Sequence, residues 1–292
     1  MEHLTHRLLF EPARTGVLSW NSRAPVGLLE FRLLRAHAPA TAWLAYAEWH
    51  PTGSKSFSPD HEGVHVEVDV IRAEQPFDGI EVRARGVDLE LVAFSSPPPA
   101  RPSQAHAAGE VLLDVPPRSQ YVVANERGWC SPASLSMLLA YRGIENSIEE
   151  TARSVFDRAY NGTGNWAFNV AFAGSLGLRA FVAHVQNLDR ARRLIEADIP
   201  LAISYSWRAD ELPGAPLEHS DGHLAVLRGF TADGDCAMND PAHPAVRTVY
   251  PREALERIWL RNDGIAYVLA PAGVDFAELL PNVTLSCNPA NA

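Results

Sequence analysis

The sequence predicts two units in series, an all-β sandwich of jelly-roll type over residues 1–95 and an α+β domain over residues 111–292. Short runs of Val, Ile, Leu and aromatic residues fill the first region, punctuated by Gly, Pro, Asp and Ser, which is the pattern of successive strands. The stretch "SSPPPARPSQAHAAGE" then marks a proline-rich linker over residues 96–110. Consecutive prolines favour an extended spacer and exclude helix interiors and central strands. Beyond it helical patterns come first and strand patterns follow, the order of an α+β domain.

In the first region "GLLEFRLLRA", "TAWLAYAEW", "VHVEVDVI", "GIEVRARG" and "DLELVAFSS" read as strands. "VHVEVDVI" alternates most cleanly, with Val64, Val66, Val68 and Val70 on one face and His65, Glu67 and Asp69 on the other. That spacing of strands suggests the jelly-roll sandwich. Trp20, Trp43 and Trp49 fall in these runs, either as core or as stacking platforms for a glycan or protein ligand.

In the second region a helix is expected over residues 132–142. Pro132 suits the first helical position, Leu135, Leu138, Leu139 and Tyr141 supply an apolar stripe, and Gly143 ends it. "NWAFNVAFAGSLG" reads as a buried helix with a glycine stop, followed by the strand "LRAFVAHV". "LDRARRLIEAD" is an amphipathic helix, and Pro200 introduces the strand "LAISYSW". From residue 223 strands dominate, in "HLAVLRGF", "CAMND", "VRTVY" and "IAYVLA", with one helix in "PREALERIW".

Composition narrows the function classes. The 292 residues are 47% hydrophobic and carry a net charge of −10, which describes a globular protein with a substantial core. No basic cluster is interleaved with aromatics, so nucleic acid is not an expected partner. Only Lys55 among the 25 basic residues is a lysine. "MEHLTHRLLF" is too short in its apolar run, and too broken by His and Arg, for a signal peptide. No apolar stretch is long enough for membrane insertion. The expectation is a cytoplasmic chain, or a secreted one if a leader has been trimmed from it.

The three cysteines, Cys130, Cys236 and Cys287, are odd in number and widely spaced, so they describe neither a disulfide framework nor a zinc finger. Cys130 stands out because "GWCSPASLSMLLAYRG" puts it just ahead of a helical pattern. There a cysteine can be a small buried hydrophobe, a metal ligand, half of a disulfide or a nucleophile. The free N–H groups and positive dipole end of a helix favour the thiolate, which is the nucleophilic form. A nucleophile also needs a base and a group to orient that base. "SDGHLAVLRGFTADGDCAMNDPAHP" offers both. A hairpin about "TADGD" would return the end of the second strand to the start of the first, bringing Asp240 beside His223. Gln120, ten residues before Cys130, could donate to an oxyanion alongside the Cys130 N–H.

These blocks, "SQY…GWCSPASLSMLLAYRG", "GTGNWAFNVAFAGSLGL" and "GHLAVLRGF…DCAMNDPA", resemble the bacteriocin-processing (double-glycine leader) peptidase-like family of papain-like cysteine peptidases, in its stand-alone branch without transporter domains. The resemblance covers roughly residues 110–270. It implies a papain-like α+β fold, Cys130 as nucleophile, His223 as general base and acid, Asp240 as orienter, and Gln120 in the oxyanion hole. It also implies a peptide or protein substrate and no cofactor. Neither a membrane segment nor a Walker-type phosphate loop accompanies it.

Other readings use the same residues differently. His219 and His223 have a spacing that binds zinc when it lies on a helix, with His243 and Asp240 to complete the site. The same Cys-His-Asp chemistry could pass its acyl group to an amine or thiol, as an acyltransferase or transglutaminase-like enzyme does. The sandwich could also be the working part, beside a catalytically silent second domain.

Overall fold

The computed structural model describes residues 4–99, 101–103, 109–122, 128–271 and 273–288. Parts of the expected linker, residues 100 and 104–108, lie outside the described residues. The first region contains β1 (His6–Asn21), β2 (Val26–Arg35), β3 (Ala38–Pro39), β4 (Leu44–Trp49), β5 (Lys55–Ser56), β6 (Asp60–His61), β7 (Val64–Glu67), β8 (Val70–Arg85) and β9 (Leu91–Ser95). After the prolines come β10 (Val111–Leu112), α1 (Cys130–Tyr141), α2 (Ile148–Val155), α3 (Trp166–Ser175), β11 (Arg179–His184) and α4 (Leu188–Glu196). The chain continues through β12 (Leu201–Trp207), β13 (Ser220–Phe230), β14 (Cys236–Asn239), β15 (Arg247–Tyr250), α5 (Arg252–Leu260), β16 (Ile265–Ala270) and β17 (Val283–Cys287).

The N-terminal unit is all-β, and its strands join one antiparallel sheet in the order β17-β9-β1-β8-β2-β4-β5, with β3 on β2 and the β6–β7 pair on β8. Its core gathers Trp20, Phe31, Trp49, Phe77, Ile80 and Val82. Trp20 and Trp49 are therefore core residues, and Trp43 carries the Arg32 and Arg83 guanidiniums over its ring. One expectation needs correcting here. "VHVEVDVI" is not a single strand: the chain reverses at Val68–Asp69, and Glu67 of β7 pairs with Val70 of β8. Val64 and Val66 are buried as expected, whereas Val68 sits in the turn and Asp69 is buried.

The C-terminal unit is α+β, built on an antiparallel sheet ordered β11-β16-β12-β13-β14-β15, with β10 on β13. Helix α1 is buried from Ser131 to Leu139, as befits a helix surrounded by core on all sides. Helix α2 begins in a capping box made by Ser147 and Glu150. Asn165 caps α3 and Asn187 caps α4, each accepting from a backbone N–H three residues on. No helix among the described residues is long and apolar enough to cross a membrane.

The two sheets are sewn together along β11. As the edge strand of its sheet, β11 presents unpaired N–H groups that need partners. The first sheet supplies them from side chains. Asn21 Oδ1 accepts from Ala180 N–H at 3.0 Å, Ser19 Oγ from Val182 N–H at 3.2 Å, and Ser95 Oγ from His184 N–H at 2.8 Å. Above this seam Gly174 of α3 lies against Asn21, where an added Cβ would come within 2.6 Å of the Asn21 side chain. Ala167, Phe168 and Ala171 of α3 join the core of the first sheet, and Phe168 meets Trp20 edge to face at 6.0 Å. Leu91 and Ala93 in turn join the core of the second. The chain finally returns to the first unit: residues 283–287 pair with β9.

Candidate active site

Cys130 is the first residue of α1, is half-buried and lines a cleft of about 910 Å³. Trp129, the cap residue, makes no side-chain cap, and the first turn holds no acidic residue. Free N–H groups thus remain for the sulfur. Pro132 falls inside this turn and sacrifices no intrahelical bond, since the first turn has none to lose. Burial opposes a thiolate here. The His223 imidazole, through a hydrogen bond and its charge, outweighs burial with help from the Leu224 and Ser131 N–H groups, and brings the thiol below its ordinary range. The Ser131 hydroxyl is occupied elsewhere, donating to Asn169 Oδ1 and pairing with the Tyr267 hydroxyl, each at 2.9 Å.

His223 lies on β13, opposite Tyr205 of β12, and is buried. Its ring stands edge-on to Tyr205 at 5.6 Å and to Trp207 at 5.5 Å. Nε2 is 2.8 Å from Asp240 Oδ1, which leaves Nδ1 as the other ring nitrogen. The β13–β14 register pairs Val226 with Asn239. Continuing it places Asp240 diagonally across from His223 on one face, the reach of a cross-strand neighbour. Asn239 takes the opposite face, and its amide donates to Val115 O at 2.9 Å.

Asp240 is fully buried and fully engaged. Besides His223, Oδ1 accepts from Ala242 N–H at 2.9 Å, while Oδ2 accepts from the Tyr250 hydroxyl at 2.7 Å and the Tyr205 hydroxyl at 3.4 Å. Burial would raise this carboxyl's pKa, but the charge and hydrogen bond of His223 and the Tyr250 and Ala242 donors hold it low. For His223 burial works against the cation, yet Asp240 and then Cys130 overcome it and push the imidazole up to about 10. The shifts favour charge on all three side chains: the Cys130 thiol is lowered, the His223 imidazole raised and the Asp240 carboxyl lowered.

Gln120 is buried beside this group, its N–H donating to Pro241 O at 2.9 Å. Its side chain is not among the residues lining the cleft, and its Oε1 meets no donor among the described residues. Residues 123–127, between Gln120 and Cys130, lie outside the described residues. Trp129 and Trp166 both border the cleft. His219 is exposed just ahead of β13, on no helix, while His223 is turned toward Asp240. Among the described residues no group of three His, Cys, Asp or Glu side chains is placed to hold a metal ion.

Two features of the site have no motif to announce them. The tyrosines that hold Asp240 come from β12 and β15 and look like ordinary strand residues. The wall formed by Glu67, Val68, Asp69, Val70 and Arg72 comes from the other sheet.

The fold and this site define an α+β protein with a cysteine at a helix start lining a cleft, carrying an all-β unit. The chain belongs to the Peptidase_C39 like family, whose model matches residues 112–267, just over half of it. No curated protein matches the chain. Among solved structures, a Bacillus anthracis protein described as a C39-like peptidase is similar at 18% identity and a TM-score of 0.44, over 56% of this chain and 98% of that one. A double-glycine-motif protease from an AMS/PCAT transporter, in complex with the leader peptide, is similar at 19% identity and 0.38, over 56% and 99%. The peptidase domain of Streptococcus ComA, a bifunctional ABC transporter of a quorum-sensing pathway, is similar at 18% identity and 0.37, over 54% and 98%.

Proposed function

We propose that the protein is a papain-like cysteine peptidase or amidohydrolase, with Cys130 as nucleophile, His223 as acid and base, and Asp240 as orienter. The observation that carries the reading is the His223 imidazole, bound through Nε2 to a buried Asp240 and lowering the thiol pKa of Cys130 at a helix start. The Cys130 thiolate attacks the substrate carbonyl carbon, and the carbonyl electron pair moves to oxygen. The Cys130 N–H stabilises that oxyanion, and the Gln120 amide joins it only if its side chain turns toward the cleft, which it does not line here. As the tetrahedral species collapses, the C–N bond breaks and Nδ1 of His223 protonates the departing amine, leaving a thioester. Neutral His223 then takes a proton from water, hydroxide adds to the thioester carbonyl, and the thiolate leaves. Residues 1–95, whose sandwich character belongs to the same proposal, act as an accessory unit beside the catalytic one. The test is digestion of a mixed peptide library followed by mass spectrometry. New termini that appear with the wild-type protein and vanish with Cys130→Ala support the proposal. Cleavage that persists in Cys130→Ala excludes it.

A further inference from the structure

The cleft that holds Cys130 takes one wall from outside the family-matched residues, from the turn joining β7 to β8. This is a two-residue hairpin loop, Val68–Asp69, and Val68 has φ +58°. Tight hairpins that need positive φ at this position use glycine, asparagine or aspartate there. A β-branched side chain fits that conformation poorly, because its Cβ substituents crowd the backbone. Val68 is nevertheless there, half-buried and lining the cleft. Such strain persists only where the surroundings over-determine it.

The surroundings do so from both sides. Asp69 Oδ2 accepts from the Trp166 N–H at 2.5 Å, at the start of α3, and the Asp69 carbonyl accepts from the Tyr46 hydroxyl at 2.8 Å. The segment ahead of α3 is tied to the same sheet: Ser56 N–H donates to Asp157 Oδ1 at 3.1 Å, and Arg158 N–H to Ser54 O at 3.0 Å. Phe156 and Tyr160 of that segment line the cleft too, 36% and 50% exposed. The cleft thus presents exposed apolar surface from Phe156 and Tyr160, on a frame held in register with the strained valine.

We propose that Val68 is a specificity-determining residue. With Trp166, Phe156 and Tyr160 it forms a subsite for one apolar side chain of a peptide substrate. The inference rests on the cysteine-peptidase reading and deepens it, assigning substrate selection to the accessory sheet. A glycine at this position would relax the turn. The valine methyls contribute only when an apolar group is laid against them.

The test uses the full chain and a positional set of peptidyl chloromethyl ketones carrying Leu or Gln at each position. The rate of Cys130 alkylation is normalised to that by iodoacetamide. Wild type should prefer Leu over Gln at one position. Val68→Gly should melt at the same temperature or higher and react with iodoacetamide at the wild-type rate. Its Leu preference at that position should fall by about tenfold, the scale of a lost apolar contact of this size. Val68→Asp should abolish the preference. A Val68→Gly protein with an unchanged preference overturns the proposal, as does a wild type with no Leu preference at any position. If Cys130 in wild type reacts with iodoacetamide no faster than Cys287, the nucleophile assignment itself fails and the subsite falls with it.

Discussion

His223 and Asp240 meet through a 2.8 Å contact between Nε2 and Oδ1, in a position where neither residue is open to solvent. A carboxylate there both fixes the ring and compensates its charge; an amide would do only the first. Asp240→Asn should therefore lower turnover on a peptide substrate by about tenfold or more, which is about 1.4 kcal/mol in barrier. Asn239→Ala, which loses a bond to Val115 O on the other face, should leave turnover nearly intact and lower the melting temperature instead. Side-by-side kinetics and thermal melts of the two variants check this ranking, and a reversed ranking would contradict the register of β13 and β14.

The thiol of Cys130 is lowered, and the His223 imidazole is raised to about 10. Alkylation of Cys130 should accordingly reach its plateau at a lower pH than that of an ordinary thiol of pKa about 8.5, which gains roughly tenfold per unit below its pKa. Cys236, buried and with its thiol pushed far up, should stay unlabelled in the native protein. The pair also stabilises the fold. Because the folded pKa of His223 lies above the unfolded value, its contribution is complete below about pH 6.5 and is lost as the pH rises through about 10. Labelling followed by mass spectrometry across this range measures the first effect, and melts of wild type against Asp240→Asn measure the second.

Asp69 has a linkage of the same sign, at lower pH. Burial is the main cause of its pKa rising to about 7, against the Trp166 and Ala167 N–H groups that favour the carboxylate. A folded acid with a raised pKa loses stability as pH climbs from about 4 to about 7. Asp69→Asn, which keeps an acceptor oxygen for Trp166 N–H, should therefore gain in melting temperature relative to wild type between pH 5 and pH 8. A difference that is constant with pH would show that the carboxyl is not held this way.

A protein beginning at residue 105 removes Asn21, Ser19 and Ser95 from the β11 edge and Trp20 from Phe168. It exposes edge N–H groups and an apolar face together, the two conditions for aggregation. Residues 105–292 should be insoluble, or soluble without fast Cys130 labelling. A monomeric, reactive fragment would show that the seam is dispensable.

Much of the C-terminal half was legible because each element carries its own signal. The leucine stripe and Gly143 gave α1, Pro200 introduced β12, alternation gave β13, and the "TADGD" turn predicted the hairpin that brings Asp240 to His223. Helix α2 was missed although its Ser147–Glu150 capping box is readable. The hairpin at Val68–Asp69 could not be read. Its turn residues lack glycine, proline and asparagine, and the valine alternation runs straight through it. What bends the chain there is a carboxylate bound to a helix nearly one hundred residues away, a tertiary cause with no local trace. The seam along β11 was hidden for the same reason, since Asn21, Ser19 and Ser95 look like ordinary polar strand residues until the second sheet arrives.

The pairing of Ser95 with Val283 has a further consequence, in the order of assembly. Residues 96–282 leave the first sheet and come back to it one strand spacing away, so the whole α+β unit is a loop closed by two short strands. For a flexible chain, closing a loop of that length would cost about 5 kcal/mol in entropy, more than a five-residue edge pairing returns. The cost falls only when the intervening chain is already compact. Pairing of β17 with β9 is therefore favoured only once the enclosed α+β unit is compact.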